Sequence, residues 1–323
     1  MRTLAVSLAV TAVLGLSQAS ARRIDTSVAA VLWTAPADIA QRDLLYGPGG
    51  DAAAPQPPLR YVPAELGGTA AKLRLRDRAG TMWIAKLGVE GRPETAASRL
   101  LWAAGYASDA GYYFRDLPAA DVPKELAADG VLHEVRLEHA RDPSLPSDTW
   151  RWRDNPFVGT RDFDGLRVMM ALMNNWDLKT ENNLVYERIE AGGPVAVYEV
   201  ADLGATFGTD GYVWPESESK GNLAAYRASR FIRRLTPAAV DFACPAVPPL
   251  AYLFDLPNWV RRMRMPAVGR GIPRAHARWI GGWLDRLSLA QLGDAFRAGG
   301  FGPSEVDGYV AVLRARIARL ASL

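Results

Sequence analysis

Asn174-Asn175-Trp176-Asp177-Leu178-Lys179-Thr180-Glu181-Asn182-Asn183-Leu184-Val185-Tyr186 is the stretch that decides how the chain is interpreted. It combines an acid at Asp177, a lysine at Lys179 and an amide at Asn182, followed by an apolar run typical of a strand. The apolar spacing of residues 163–173 predicts a buried helix directly before it. Three polar groups at the end of a buried helix indicate a reactive site, although Asp and Asn are also common in ordinary turns.

A second acidic motif follows at Ala201-Asp202-Leu203-Gly204, with Asp202 placed 25 residues after Asp177. Between the two motifs, residues 184–189 and 195–200 have the apolar character of two strands around the turn sequence Glu190-Ala191-Gly192-Gly193. A hairpin of this kind returns the chain to its starting point. The sequence therefore predicts that Asp202 lies beside Asp177.

A lysine and a glutamate stand close together earlier in the chain. Residues 72–76 alternate as a strand does, and after a turn residues 81–87 form a return strand near whose end Lys86 lies. A helix is predicted to begin near Pro93-Glu94, so that Glu94 can pair with Lys86, and Glu90 competes for the same role. The alternative is an exposed strand-end lysine and a glutamate favoured by the helix dipole.

A short glycine turn, Leu66-Gly67-Gly68-Thr69, precedes this hairpin. Gly67 and Gly68 allow backbone N–H groups to approach a phosphate, with Lys72 nearby as a cation. The turn is not the G-x-G-x-x-G fingerprint, and an ordinary turn explains it equally well.

The segment from Asp177 to Asn182 reads D-L-K-x-E-N and resembles the catalytic loop of protein kinases, with Asn175-Trp176 in place of the usual His-Arg. This resemblance implies that Asp177 orients and deprotonates an acceptor hydroxyl, and that Lys179 neutralises charge on the transferred phosphoryl group. It also implies the remaining roles, with a nucleotide bound by Lys86, Glu94, Gly67, Gly68 and Lys72, and a metal bound by Asn182 (or Asn183) and Asp202.

The sequences Ala85-Lys86-Leu87-Gly88 and Pro93-Glu94-Thr95-Ala96-Ala97-Ser98-Arg99-Leu100-Leu101-Trp102 resemble exported bacterial proteins of an atypical kinase-like family. More distantly, the chain is similar to atypical kinases of the secretory pathway and to spore-coat kinases. The resemblance implies an α+β, two-lobed fold, with a small antiparallel β lobe carrying one helix, a larger and mainly α lobe, and ATP with Mg²⁺ or Mn²⁺ between them. It divides the chain into an N-terminal extension or linker at residues 22–60, a small lobe at 61–150 and a large lobe at 151–323.

The chain departs from protein kinases in lacking a glycine-loop fingerprint and a recognisable activation segment. Three functions therefore stay open. The first is an ATP-dependent phosphotransferase acting on a protein or small-molecule hydroxyl. The second is an AMP transferase on the same fold, and the third is a pseudokinase that binds a nucleotide or a partner.

Composition and the N-terminal residues limit the expected partners, covalent bonds and location of the protein. The chain has 323 residues with a net charge of +3, which gives no reason to expect a nucleic-acid partner. Its one cysteine excludes a disulfide within these residues. Arg2, an apolar run at 4–16 and Ala19-Ser20-Ala21 predict a signal peptide over residues 1–21 that is cleaved near Ala21, and hence a periplasmic or extracellular protein. No later run is apolar enough to predict a membrane span.

Overall fold

The fold is a mixed α+β arrangement, seen in a computed structural model that describes Ile24, Leu145 and the ranges 27–64, 72–127, 129–141, 147–209, 219–243 and 265–323. Within those residues there is one closed five-stranded barrel, a four-stranded sheet and a three-stranded sheet, together with helices. The predicted signal peptide and the Gly67-Gly68 turn lie outside the described residues. The mixed α+β character expected from the sequence is confirmed.

The strands are β1 Ala29–Val31, β2 Leu59–Val62, β3 Lys72–Arg76, β4 Met82–Leu87, β5 Gly111–Ala120, β6 Val131–His139, β7 Ser147–Asp148, β8 Asn183–Glu190, β9 Gly193–Val200, β10 Ile232–Leu235, β11 Ala239–Phe242 and β12 Ile272–Pro273. The α-helices are α1 Gly91–Ala103, α2 Arg161–Leu172, α3 Leu223–Ala228, α4 Arg274–Leu284, α5 Leu289–Ala298 and α6 Pro303–Ala321. Short 3₁₀ turns lie at Ile39–Gln41, Asp51–Ala53, Thr180–Asn182 and Met265–Gly269.

The barrel has the strand order β2-β3-β4-β6-β5, and it closes where β2 pairs in parallel with β5. The alternating pattern of β4 explains how it presents its lysine. Trp83 and Ala85 point into the barrel and are buried in its apolar core, whereas Lys86 lies on the outer face. The same alternation on β6 buries Val135 and Leu137 in the core. The outer face of β4 and β6 is thus available for polar groups.

Helix α1 lies between the barrel and the helices of the C-terminal part. It contacts β5 and β6 on one side and α5 on the other. Its apolar face, with Ala96, Ala97, Leu100 and Leu101, is buried in the larger apolar cluster, which also contains Phe296 of α5. A helix enclosed in this way holds any side chain on its first turns in a fixed place.

The predicted route into the acidic motifs is present in the structure. Helix α2 is capped by Thr160, whose side chain accepts a hydrogen bond from Phe163 N, and it ends just before the Asp177 loop. Strands β8 and β9 then pair as an antiparallel hairpin that turns between Glu190 and Gly193. The hairpin returns the chain to the Asp202 turn.

The C-terminal part differs from the sequence prediction in two places. The apolar periodicity of residues 275–297 predicts one continuous helix, but the structure has two helices there, because Ser288 and Gln291 form a capping box that begins α5. After Asn222 the sequence predicts mostly amphipathic helix, but the structure contains a small sheet of β10, β11 and β12. Thr236 and Ala239 hydrogen-bond to each other and close the turn between β10 and β11.

The described part of the N-terminal extension packs into the fold with little regular structure. Strand β1 adds in parallel to β9, at the edge of the four-stranded sheet. Ile39 and Leu44 are fully buried in the larger cluster, and Gln291 of α5 donates to the carbonyl of Ile39. No helix of the described residues has the length and apolar character of a membrane span.

Two neighbouring glycines of α4 offer a test of the helix packing. A Cβ at Gly281 would lie 2.6 Å from the Cβ of Leu320, whereas a Cβ at Gly282 would have nothing within 4 Å. We expect Gly281→Ala to lower the free energy of unfolding by about 1–3 kcal/mol, as overpacking does. Gly282→Ala should raise it by up to about 1 kcal/mol, because alanine favours helix. Urea denaturation of both variants measures the difference, and equal stabilities would contradict the close contact between α4 and α6.

Candidate active site

Four charged side chains form a network on the outer face of the barrel. The Lys86 ammonium lies 3.0 Å from Glu94 Oε1 of α1 and 3.0 Å from Glu138 Oε2 of β6. Arg136, two residues before Glu138, lies 3.3 Å from the same oxygen of Glu94 and also contacts Glu138. The predicted pairing of Lys86 with Glu94 is therefore present, within a larger network than the sequence suggested.

Burial and charge act in opposite directions in this network. Burial alone lowers the pKa of Lys86, but the neighbouring carboxylates Glu94, Glu138 and Asp202 outweigh it and raise the pKa above its ordinary value. Burial raises the pKa of Glu94, in spite of the positive charges of Arg136 and Lys86, which lower it. Lys86 is consequently a stable cation, held in place by a carboxylate that is itself fixed.

Three basic residues lie in a row across three adjacent strands. Lys72 of β3 is directly opposite Lys86 of β4, which is directly opposite Arg136 of β6. Side chains of directly opposed residues project from the same face of a sheet. Lys72 makes no ion pair with any residue that the structure describes. Lys86 and Arg136 are already paired with Glu94 and Glu138, so Lys72 is the member of the row whose charge is available to an anion.

The Asp177 loop holds one free carboxylate oxygen. Asp177 Oδ2 lies 2.7 Å from the Lys179 ammonium. Its other oxygen, Oδ1, is buried without a hydrogen-bond partner in the described part of the chain. A buried acceptor without a donor is costly, so a hydroxyl or a metal at this position would satisfy it.

Asn182 ties this loop to the second acidic motif. Its side-chain amide donates to the carbonyl of Asp177 at 2.7 Å, which leaves the amide oxygen available. Its own carbonyl accepts from the backbone N–H groups of Ala201 at 2.8 Å and Asp202 at 3.3 Å. The alternative amide, Asn183, donates instead to the carbonyl of Trp150. Asn182 is thus the amide that is bonded to both acidic segments.

The Asp202 turn packs against the start of α1. Asp202 Oδ1 accepts from the N–H of Gly204 at 3.1 Å. A Cβ at Gly204 would lie 2.9 Å from the Cβ of Glu90, so the approach of α1 requires a glycine there. Glu90, the alternative to Glu94 as the partner of Lys86, pairs instead with Lys220. Glu94 is therefore the glutamate that contacts Lys86.

The donor set of the site bears on whether it could hold a divalent metal. No group of three or more His, Cys, Asp or Glu side chains within the described ranges could hold a metal ion. Mg²⁺ usually takes one or two protein carboxylates and completes its shell with phosphate oxygens and water. The Asp202 carboxylate and the Asn182 amide oxygen are hard ligands of that kind. The residues present fit a metal that arrives with a phosphate-containing ligand.

Sequence reasoning missed Arg136, Glu138 and Lys220. Arg136 and Glu138 belong to the strand that also contains His133 and His139, two residues without the spacing of a helical metal motif. His139 stacks on Trp83 with ring centroids 4.1 Å apart, and His133 contacts Asp116 on the barrel surface. The alternation of β6 was a usable signal, because it places Arg136 and Glu138 on one face.

A second buried carboxylate lies close to the Asp202 turn. Glu199 of β9 contacts Arg141 at 3.0 Å, and the same guanidinium contacts Asp109 at 2.6 Å. The Arg141 guanidinium therefore forms ion pairs with both carboxylates. Burial, together with the charge of Asp109, raises the pKa of Glu199 to about 7 in spite of Arg141.

Comparison with known proteins does not assign the chain to a family. No protein family model and no curated protein matches the chain. Among solved structures, the chain is similar to the crystal structure of the Rio2 kinase-ADP/Mg2+-phosphoaspartate complex from Chaetomium thermophilum, with 12% sequence identity and a TM-score of 0.32 over 79% of this chain and 70% of that one. A TM-score this low carries no conclusion about the fold or the function of this chain.

The Glu199 cluster predicts a measurable pH dependence of stability. Because the pKa of Glu199 is raised to about 7 from 4.5, its contribution to folding is greatest at low pH and is lost as pH rises through 7. Glu199→Gln has no carboxylate to ionise at this position and does not undergo this loss. The free energy of unfolding of the variant minus that of the native chain should therefore rise from pH 4 to 8, by about 3 kcal/mol at most. Chemical denaturation at several pH values measures the difference, with the exposed Glu190→Gln as control. A difference independent of pH would contradict the assignment.

Proposed function

We propose that the protein is a kinase-like phosphotransferase that uses ATP with Mg²⁺ or Mn²⁺ to phosphorylate a hydroxyl of a protein or small molecule. Phosphoryl transfer needs cations and metals over the phosphates and an acceptor aligned for in-line attack, with little covalent help from the protein. The residues around Lys86, Asp177 and Asp202 are of the types that this chemistry requires. In this proposal the nucleotide binds between the barrel and the acidic loops, as in a two-lobed kinase.

One observation carries the proposal. The Lys86–Glu94 ion pair joins the barrel to α1, and the turn that carries Asp202 packs against the start of that helix. A lysine fixed by a buried glutamate and facing an acidic metal ligand is the arrangement that positions phosphates in kinases. The sequence motifs predict these roles for the same residues, which supports the proposal.

The remaining residues have complementary roles in this proposal. The carboxylate of Asp177 orients the acceptor hydroxyl and accepts its proton. Lys179, held by Oδ2 of Asp177, offers a positive charge to the transferred phosphoryl group. Asn182 and Asp202 would hold the metal ion, which when bound neutralises charge on the phosphates. Lys72 adds a second cation beside Lys86 on the barrel face.

A nucleotide- or partner-binding module is the second candidate. The predicted signal peptide favours it, since free ATP is scarce outside the cytoplasm. Under this alternative the same residues bind ligand without turnover. Labelled ATP distinguishes AMP transfer from both of these functions. Label at the α-phosphate reaches the product only if AMP, rather than phosphate, is transferred.

The metal ligand provides the main test. The mature protein from Arg22 is incubated with Mg²⁺ or Mn²⁺, ATP labelled at the γ- or α-phosphate, and either the protein itself or a mixture of hydroxyl acceptors. We expect γ-label transfer, and Asp202→Asn should reduce it at least about a hundredfold, because even residues one step removed from a metal affect activity about 10- to 100-fold. Unchanged transfer by Asp202→Asn would refute its assignment. No transfer, with metal-dependent ATP stabilisation in a thermal-shift titration, would favour the binding module.

Removal of the phosphate-binding lysine gives an independent prediction. Lys86→Met should weaken ATP binding at least about tenfold, because a buried charge-assisted contact contributes about 1.5–3 kcal/mol. The exposed Lys124→Met serves as the matched control for loss of one positive charge. Isothermal titration with ATP and Mg²⁺ measures both. Equal affinities of the two variants would show that a different lysine holds the phosphates.

A further inference from the structure

Glu138 occupies a position that the proposed mechanism does not use. Its carboxylate lies 3.0 Å from the Lys86 ammonium, the same distance as that of Glu94. The two carboxylates differ in exposure, since the side chain of Glu94 is 2% exposed and that of Glu138 is 16% exposed. Glu138 therefore contacts Lys86 from the side that is nearer to solvent.

The two carboxylates pair with the same two cations but project from different elements. Glu94 projects from α1, which is buried on both sides, and one of its oxygens meets two cations. Glu138 lies on a barrel strand and shares the Lys86 ammonium and the Arg136 guanidinium. If Glu138 withdraws from Lys86, both Lys86 and Arg136 remain paired with Glu94. The network can thus release Glu138 without leaving a buried charge unpaired.

The geometry has a consequence for any anion that approaches Lys86. An ammonium has three N–H donors, and two carboxylates already engage this one. A phosphate must therefore use the third donor beside the negative charge of Glu138, or displace Glu138. Like charges at close range repel strongly where solvent screening is partial.

We propose that Glu138 is a built-in counter-ion that occupies Lys86 in the free protein and must be displaced by the phosphates of the nucleotide. The inference rests on the proposed function, because it takes Lys86 as the residue that binds phosphate. Glu138 then acts as a specificity-determining and positioning residue. Highly charged polyphosphates compete with it for Lys86, while weaker anions such as inorganic phosphate do not.

The inference predicts that removing an acid from the site tightens binding. Glu138→Gln keeps the shape of the side chain and removes its charge. At low ionic strength we expect it to bind ATP about three- to tenfold more tightly than the native chain, with a smaller gain at high salt because surface-accessible charges are then screened. Binding of inorganic phosphate, weak in the native chain, should improve as well. The matched control is Asp116→Asn, which removes one exposed negative charge on β5 outside the network.

Isothermal titration of native chain, Glu138→Gln and Asp116→Asn with ATP is carried out first in EDTA and then with Mg²⁺. Tighter binding by Glu138→Gln alone supports the inference. Equal or weaker binding by Glu138→Gln overturns it and leaves the proposed function in place. Tighter binding in EDTA that becomes weaker with Mg²⁺ identifies Glu138 as a metal ligand and also overturns it. No ATP binding by any variant overturns the proposed function, and the inference with it.

A second readout reports on Lys86 without nucleotide. The rate at which acetic anhydride modifies Lys86, followed by mass spectrometry across pH, gives the pKa of its amine. Loss of the neighbouring carboxylate should lower this pKa in Glu138→Gln and speed the modification at a given pH. An unchanged Lys86 profile in Glu138→Gln would show that the two side chains do not interact in solution and would overturn the inference.

Discussion

The buried carboxylate of Glu94 is the group on which the rest of the site depends. It forms ion pairs with Lys86 of β4 and Arg136 of β6, and it reaches them from a helix rather than from the sheet. Removing one partner from such a buried network typically costs about 3–5 kcal/mol, because the other charges are left without compensation. Glu94 therefore joins the barrel to α1 through charge, where neighbouring elements in most of the fold are joined by apolar packing.

Helix α1 in turn fixes the position of the acidic turn. Gly204 fits closely against Glu90 at the start of the helix, and the hydroxyl of Thr206 donates to the carbonyl of Pro93. Asn182 then connects Asp202 to the Asp177 loop through backbone hydrogen bonds. The candidate site is consequently assembled in the free protein by its own packing and hydrogen bonds. A ligand that binds here meets groups that are already oriented, which reduces the entropy lost on binding.

The parts of this arrangement that were predictable from sequence are the local ones. Lys86 and Glu94 are eight residues apart, and strand alternation followed by helical periodicity places them on facing elements. The order of helix, loop and hairpin around Asp177 was recognisable for the same reason. Each of these predictions needs only the spacing of residues along one or two neighbouring elements.

The parts that were missed depend on contacts distant in sequence. Glu138 meets Lys86 only because β6 pairs with β4 in one register, and a shift by one residue would turn its side chain into the barrel core. Lys220 reaches Glu90 across 130 residues. The break in the helix predicted over 275–297 has a local cause. The capping sequence at Ser288 indicates a helix start, whereas the apolar periodicity continues across it and indicates a single helix. Tertiary pairing, rather than local preference, determines the contacts of Glu138 and Lys220.

The balance of charge explains why a metal belongs with the nucleotide in this proposal. Around Lys86, the basic residues Lys72, Lys86 and Arg136 supply three positive charges. The acidic residues Glu94, Glu138 and Asp202, from α1, the barrel and the turn after β9, supply three negative ones. A site with no net charge gains little from a bare triphosphate, because its attraction to the cations is offset by repulsion from the acids. A divalent ion that binds together with the phosphates would be attracted by Asp202, and this attraction would offset the repulsion between Asp202 and the phosphates. Asp202, which weakens the binding of free nucleotide, would therefore favour the metal-bound form, whereas Glu138 would oppose both forms.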